Sequence, residues 1–235
     1  MWIDDQVLRE CKQQLSCFVW QPRSAMVVLG GSNQLERECH RELCAADGIP
    51  VLQRYGGGGT VLLYPGVVVL SLGTWVRQLY NNSHYFSLLN TSLIETLAEH
   101  FPRCRRLSQK GISDIADDQR KIAGTSLFRS RNYLLYQVSL LVDLDIEKIE
   151  RYLKHPSREP DYRGQKSHRQ FLSCLKAMDA SINEQEIVRV LQNYFTLTVN
   201  KNLAEESIAP SREHCPYLLQ KASPHRSIAN QLASL

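Results

Sequence analysis

A run of four glycines is the first feature whose residue types could support binding chemistry. In "RYGGGGTVLLYPG" it follows Arg54 and precedes a strongly β-forming stretch. Successive glycine N–H groups can cradle an anion, or let a ligand lie against a backbone that carries no side chains. No Gly-Lys-Ser/Thr follows, and a predicted strand rather than a helix comes next. The run is therefore neither a Walker loop nor a dinucleotide fingerprint. A flexible hairpin connection is the alternative, but close approach of a ligand is favoured.

A lysine among small residues is the second feature. Lys121 opens a predicted strand in "DDQRKIAGTSL", whose alternation would put Ile122 and Gly124 on one face and Lys121 on the other. Lysine is a compact charge that can polarise a carbonyl group and hold a phosphate. A solvated lysine at a strand edge is the ordinary alternative. The small residues that follow leave room for a ligand beside the ammonium group.

An acidic residue inside an apolar strand is the third feature. Asp114 lies in "GISDIA", and burial of its carboxylate would be costly unless the group binds a metal or pairs with a base. Mg²⁺ carried by ATP phosphates would satisfy it. An ion pair with Arg120 or Lys121 would do so equally well.

Taken together, these three segments resemble the lipoate–protein ligases. The glycine run and the strand after it are similar to that family's Arg-Arg-x-Ser-Gly-Gly-Gly loop. "GISDI" is similar to its Gly-x-Asn-Asp-hydrophobic segment, and "RKIAGTS" to its Lys-hydrophobic-Ser/Ala-Gly motif. The order and spacing also match, over about residues 20–175. The resemblance implies the fold shared with biotin protein ligases and octanoyltransferases, a mixed sheet related to class II synthetase cores.

The resemblance also implies roles for individual residues. The lipoyl chain and its adenylate would be bound by a set taken from the glycine loop and the strand of Lys121, namely Arg54, Gly57, Gly58, Gly59, Thr60, Gly124, Thr125 and Ser126. Lys121 would contact the lipoyl carbonyl and the adenylate phosphate. Asp114, with Ser113, would help to place ATP and Mg²⁺. Within the polar segment 154–170, the loop 157–168 falls where the ligases close over the adenylate. Weaker candidates in this loop are Ser157, Arg158, Arg163 and His168.

Several positions depart from the family pattern. Gly56 stands where the family has serine, Ser113 where it has asparagine, and Leu63 and Val67 where it has histidine and asparagine. The separate accessory domain of long bacterial ligases is not expected in this chain. These differences leave open a need for a second polypeptide, a transferase, or a divergent paralogue that binds lipoyl carriers without catalysis. A biotin ligase is a weaker alternative, because its loop pattern differs around the glycines.

A transferase on this fold would use a cysteine nucleophile, with Lys121 stabilising the thioester oxyanion. Cys104 is the nearest candidate, but it lies 17 residues before Lys121, and Cys174 reads as a core residue. No cysteine fits well. The sequence therefore favours ATP-dependent ligation, in which lipoate is activated to lipoyl-AMP and then transferred to a lysine of a lipoyl-carrier domain.

The composition is that of an ordinary soluble globular protein. The 235 residues are 43% hydrophobic and 22% charged, and the formal net charge is +4, too weak to predict nucleic-acid binding. The segment from Phe101 to Arg131 contains eight Lys/Arg and only three Asp. This local excess suits an anionic ligand or an acidic partner, and a solvated face is the alternative. The seven cysteines form no Cys-x-x-Cys pair. With no signal peptide or membrane span expected, the prediction is a cytoplasmic protein with free thiols.

The elements that must position these residues follow from periodicity. Helices are predicted near the N-terminus, over 33–46 with Ser32 as its cap, over 84–99, over 146–153 with Asp145 as its cap, and over 183–195. The segments between these helices are predicted to be strands paired as hairpins, one of which has Pro65-Gly66 as its turn. The prediction is an α+β domain with a mixed or antiparallel sheet and flanking helices. Its boundaries are 1–206 for the catalytic domain and 207–235 for a C-terminal tail that is packed on it or peripheral.

Overall fold

The computed structural model describes residues 3–221, which form two sheets with flanking helices. Six antiparallel strands make the larger sheet, in the order β1-β5-β9-β8-β7-β6, and three make the smaller one, in the order β3-β2-β4. In the smaller sheet β2 pairs with β3 in parallel. The strands are β1 (Leu15–Trp20), β2 (Met26–Leu29), β3 (Val51–Gln53), β4 (Val61–Leu63), β5 (Val67–Trp75), β6 (Leu107–Lys110), β7 (Asp114–Asp117), β8 (Arg120–Ser130) and β9 (Tyr133–Leu141). The predicted α+β class is confirmed.

Ten α-helices are found in the described range. They are α1 (Ile3–Arg9), α2 (Leu35–Glu38), α3 (Arg41–Ala46), α4 (Asn82–His100), α5 (Ile146–Tyr152), α6 (His168–Phe171), α7 (Leu175–Met178), α8 (Glu184–Val190), α9 (Thr196–Asn202) and α10 (Cys215–Lys221). A π-helical turn, Leu191–Phe195, joins α8 to α9, so the helical segment predicted to end at 195 runs on to Asn202.

Strand β5 is the centre of the protein because both of its faces are buried. Val68 and Leu70 pack in one hydrophobic cluster with α4, whose buried Leu89 and Leu93 are one helical turn apart. Val67 and Val69 pack in a second cluster with the small sheet and α5. A strand covered on both sides reads as a continuous apolar run, which explains its sequence.

The turn at Pro65-Gly66 exists, but the predicted hairpin is wrong. Val67 N–H donates to the carbonyl of Tyr64 over 2.8 Å, yet β4 pairs with β2 while β5 pairs with β1 and β9. Tyr64 Oη donates to the carbonyl of Asp143 over 2.8 Å. These contacts hold the turn against the end of β9, so the chain passes from one sheet to the other.

The helix predicted over 33–46 is also corrected, because it is two short helices. Cys39 forms a β-bridge with Leu153, and His40 N–H donates to the carbonyl of Tyr152 over 2.9 Å. This pairing interrupts the helix. Ser32 is not its cap; Gln34 occupies that position without a side-chain hydrogen bond. The Asp145 cap of α5 is confirmed, since its side chain accepts from Lys148 N–H.

Both ends of the described chain meet beside β5. Val7 and Leu8 of α1 share a hydrophobic cluster with Trp75 and with Leu218 of α10. Ile208 N–H donates to the carbonyl of Trp75 over 3.0 Å. No helix within 3–221 is long and apolar enough to cross a bilayer.

Candidate functional site

The glycine loop is shaped by a buried guanidinium group. Arg54 Nη2 donates to the carbonyls of Gly57 and Gly59, over 2.7 and 2.8 Å. Burial lowers the pKa of Arg54 to about 10, so the group stays charged at neutral pH. Its Nε has no hydrogen-bond partner among the described residues. Arg54 thus holds the glycine loop in place through two carbonyl groups. It also lines a small cavity beside the loop, called the inner channel below.

A second glycine pair, which sequence reasoning did not assign to the site, supports the loop from the other side. Gly31 N–H donates to the carbonyl of Gly56 over 2.8 Å. A Cβ on Gly30 would lie 2.1 Å from the carbonyl oxygen of Gly58. Asn33 Nδ2 donates to Gly58 O and Thr60 Oγ1, over 3.2 and 3.1 Å. The Gly-Gly-Ser-Asn sequence after β2 was the available signal, because paired glycines often mark close backbone approach.

Lys121 and Asp114 form an ion pair on neighbouring strands. Lys121 Nζ lies 2.7 Å from Asp114 Oδ1, and Tyr162 Oη donates to Asp114 Oδ2 over 2.9 Å. Arg120, the other predicted partner, instead donates to the carbonyl of Leu172. The buried carboxylate is therefore compensated by a base and a phenol.

A β-bulge aims the lysine at the cavity. Ile115 pairs with Ala123 and Ala116 with Lys121, so Ile122 is the extra residue. Ile122 and Ala123 both enter the core cluster, while Lys121 and Gly124 both line the cavities. The simple alternation predicted for this strand is therefore wrong: an extra residue in one strand re-aims the side chains before it.

Gly124 lies beneath the lysine side chain. A Cβ at this position would be 3.1 Å from Lys121 Nζ and 3.2 Å from Cε. The absence of a side chain lets the ammonium group fold across the strand toward Asp114, with which Gly124 is in register.

Thr125 and Ser126 have different surroundings. Thr125 Oγ1 and N–H both donate to the carbonyl of Ser113, over 2.6 and 3.1 Å, which anchors the turn before Asp114. Ser126 Oγ lies 2.8 Å from the position of a Cβ on Gly56. The glycine that replaces the family's serine is thus packed directly against Ser126.

The segment 154–170 folds over the same cavity. Arg163 is only 5% exposed, its guanidinium carbon lies 4.7 Å from the ring centroid of Phe171, and its Nε donates to the carbonyl of Lys166. Its Nη2 has no partner among the described residues. Burial lowers the pKa of Arg163. Its Nε also lies 3.3 Å from Glu159 Oε2, so the charge already has an acidic partner, and it is the free Nη2 donor that is suited to an anion.

The other three candidates in this segment differ in their contacts. Ser157 donates to the Glu38 carboxylate, and Arg158 is exposed. His168 Nε2 is 3.1 Å from the carbonyl of Lys154, and burial lowers the pKa of this imidazole. All three line the outer cavity with Arg163.

Two cavities with part of their lining in common bring most of the predicted residues together. The outer groove has a volume of about 710 Å³ and the inner channel about 100 Å³. Both are lined by a shared set, which includes Gly58, Gly59, Thr60, Ser113, Asp114, Lys121 and Gly124. Arg54, Thr125 and Ser126 line the inner channel only. Gly57 lines neither cavity.

Cysteine chemistry has no support at this site. All seven cysteines lie within the described range, and none lines either cavity. Burial raises the pKa of Cys104 to about 12 and also raises that of Cys174. A nucleophilic cysteine needs a stabilised thiolate, which neither environment provides.

A metal could be held here only in part by the protein. No cluster of three or more His, Cys, Asp or Glu that could bind a metal occurs within 3–221. Asp114 offers one carboxylate in the region shared by both cavities. One carboxylate is compatible with Mg²⁺, which takes most of its ligands from phosphates and water.

Comparison with known protein families shows to which family the chain belongs. The model of the lipoyl protein ligase A/B catalytic domain matches residues 1–196. The chain belongs to this family. The family resemblance seen in the sequence is confirmed.

Relatives within the family include both ligases and transferases. A mitochondrial lipoyl amidotransferase of Homo sapiens is 29% identical over 167 residues, covering 71% of this chain and 41% of that protein. The chain spans about half the length of the curated lipoate-protein ligases that it matches. Family membership therefore relates the chain to lipoate ligases and transferases. It does not decide between these two reactions.

Solved structures share the fold. The bipartite lipoate protein ligase of Thermoplasma acidophilum, studied with its E2 lipoyl domain, is 18% identical with a TM-score of 0.68, covering 93% of this chain and 86% of that chain. A lipoate-protein ligase A bound with ATP is 16% identical, with the same TM-score and the same coverages. The predicted fold of the lipoate–protein ligases is thereby confirmed.

Proposed function

We propose that the protein is an ATP-dependent lipoate–protein ligase. Lipoate carboxylate attacks the α-phosphate of ATP, giving lipoyl-AMP and pyrophosphate. A lysine amine of a lipoyl-carrier domain then attacks the acyl carbon, forming the amide and releasing AMP. The observation that carries this proposal is the Lys121–Asp114 pair in the lining shared by the inner channel and the outer groove. Acyl-adenylate chemistry needs positioning and charge stabilisation rather than a protein nucleophile.

Lipoate would lie in the inner channel. The glycine loop forms one wall, where side chains would collide with an acyl chain, and Val61, Leu63 and Val69 supply apolar contacts. Lys121 then meets the carboxylate end of the substrate. Its ammonium group would stabilise negative charge on the acyl oxygen and the neighbouring phosphate.

The adenylate would lie in the outer groove. Leu153, Phe171 and Leu172 offer apolar surface for a base. Arg163, with its free Nη2, supports an assignment to phosphate, because guanidinium donors match phosphate geometry. Mg²⁺ would accompany the phosphates beside Asp114 and reduce their charge.

The acceptor would be a lipoyl-carrier domain. Strand β6 is an edge of the larger sheet, and it links the exposed Arg103 and Arg105 to Gly111 and Ile112 at the groove. An acidic carrier could approach along this edge. In this proposal residues 1–206 are the catalytic unit, and an accessory subunit assists if the isolated chain is slow.

One assay tests the proposed function. The protein is incubated with ATP, Mg²⁺, lipoate and an apo lipoyl domain, and AMP release and acceptor mass are followed. We expect AMP formation and a lipoyl mass increase, both strongly reduced in Lys121→Ala. Lys176→Ala is the control, because Lys176 pairs with Asp143 and Glu184 and lines neither cavity.

Other results would contradict the ligase. Modification only from an acyl-carrier thioester, abolished by Cys104→Ser or Cys174→Ser, would identify a transferase. Carrier binding without modification would leave a non-catalytic paralogue.

A further inference from the structure

Glu38 is a buried acid in the groove that the reaction above does not use. Its side chain is at the end of α2, is 3% exposed and lines the outer groove. Oε1 accepts from Ser157. Oε2 has no partner among the described residues, although an ionised carboxylate can accept about four hydrogen bonds. Because Glu38 lines the groove, this second oxygen is available to hydrogen-bond donors of a ligand bound there.

We propose that Glu38 binds the ribose hydroxyls of the nucleotide. This inference rests on the proposed ATP-dependent function and assigns a residue that selects the sugar. Two neighbouring hydroxyl groups can both donate to a carboxylate, which is a common mode of ribose recognition by acidic residues. Such charge-assisted hydrogen bonds are stronger than neutral ones.

The other parts of the nucleotide fit Glu38 less well. Phosphates carry negative charge and are repelled by a carboxylate, whereas Lys121 and Arg163 offer positive charge elsewhere in the groove. The base is better matched to the apolar surface formed by Leu153, Phe171 and Leu172. The sugar connects these two parts, and it supplies hydroxyl donors.

A purely structural role for Glu38 would affect nucleotide binding differently from ribose recognition. Its carbonyl accepts from Lys154 N–H over 2.9 Å, and its carboxylate accepts from Ser157. Glu38 therefore also ties α2 to the segment that covers the groove. If this were its only role, loss of the carboxylate would weaken binding of every nucleotide alike, and Ser157→Ala would have a similar effect.

The test combines changes in the protein with changes in the ligand. Dissociation constants are measured by calorimetry for ATP, 2′-deoxy-ATP, 3′-deoxy-ATP and ITP, with wild type, Glu38→Gln, Glu38→Ala and Ser157→Ala. Glu36→Gln is the matched control, since Glu36 lies on the same helix but is exposed. Melting temperatures of all variants confirm that they are folded.

We expect wild type to bind at least one deoxy nucleotide about tenfold more weakly than ATP, as the loss of a hydrogen bond to a charged group implies. This ratio should fall to below about threefold in both Glu38 variants and persist in Ser157→Ala and Glu36→Gln. Equal binding of ATP and both deoxy nucleotides by wild type would overturn the inference. So would an unchanged ratio in the Glu38 variants, or loss of discrimination against ITP alone, which would assign Glu38 to the base. If wild type binds no nucleotide at all, the proposed ATP-dependent function fails as well.

Discussion

Lys121 and Asp114 are joined by a 2.7 Å ion pair that depends on a β-bulge between their strands. In a regular strand Lys121 and Gly124, three positions apart, would point to opposite faces; the bulge at Ile122 brings them to the same one. The pair is partly open to the cavity, since the lysine side chain keeps 23% of its surface exposed. The ammonium group is thereby held by one carboxylate and still available to a ligand.

Replacing Asp114 by asparagine tests whether the carboxylate acts through the lysine. We expect Asp114→Asn to reduce the rate of AMP formation about 10- to 100-fold, because the ammonium group loses its charged partner and its fixed position. The double variant Asp114→Asn/Lys121→Ala should be no slower than Lys121→Ala alone, since residues that act as a unit are not additive. Additive losses in single-turnover assays would show that Asp114 acts independently of Lys121.

Adding one methyl group under the lysine tests its position. In Gly124→Ala the new Cβ would meet Lys121 Nζ and Cε at 3.1 and 3.2 Å. The end of a flexible side chain can move, so we expect little change in melting temperature. The displaced ammonium group should nevertheless slow AMP formation about tenfold or more. A rate equal to that of wild type would show that its position beside Asp114 is not required.

Much of this fold follows from local patterns in the sequence. Helix α4 has apolar residues at helical spacing, and β5 is a continuous apolar run. Edge strand β6 is not predictable from the sequence, because only one of its four residues is buried and its pattern gives no alternation. The Pro65-Gly66 turn was found, but the sheet that each flanking strand joins depends on distant pairing with β2 and β9.

Site residues are predictable from the sequence where their type is unusual for the segment that contains them. Four glycines, a lysine among small residues and an aspartate in an apolar strand are all such signals. Glu38 and Tyr162 gave none, because their roles depend on the approach of segments far apart in the chain. The bulge that orients Lys121 is likewise set by pairing between strands.

Histidine burial predicts a pH dependence of stability. The pKa of His168 is lowered below its ordinary value of 6.5, mainly by burial, and Arg163 and His155 add positive charge nearby. As pH falls below 6.5, the unfolded chain takes up protons that the folded chain resists, so stability falls. His214 contributes in the same direction. We expect His168→Gln to lose less stability than wild type between pH 7 and pH 5.5.

Denaturant midpoints measured across this pH range check the prediction. His40→Gln is the control because His40 is exposed, and its midpoint should follow that of wild type. An equal pH dependence in wild type and His168→Gln would contradict the assignment.

The contact between Gly56 and Ser126 predicts a reciprocal size constraint. A Cβ at Gly56 would lie 2.8 Å from Ser126 Oγ and 3.2 Å from Ser126 Cβ. We expect Gly56→Ser to lower the free energy of unfolding by about 1–3 kcal/mol, the usual cost of overpacking. Removing the opposing side chain in Gly56→Ser/Ser126→Gly should recover about 1 kcal/mol or more, because residues in contact are coupled.

Urea denaturation of the two single variants and the double variant measures this coupling. Gly57→Ser is the control, because a Cβ there meets no atom within 4 Å, and its unfolding free energy should stay near that of wild type. Additive losses in the double variant would contradict the reciprocal constraint. Coupling between the two positions would instead explain why residue 56 is glycine where the family pattern has serine. Ser126 fills the volume that a side chain at residue 56 would need.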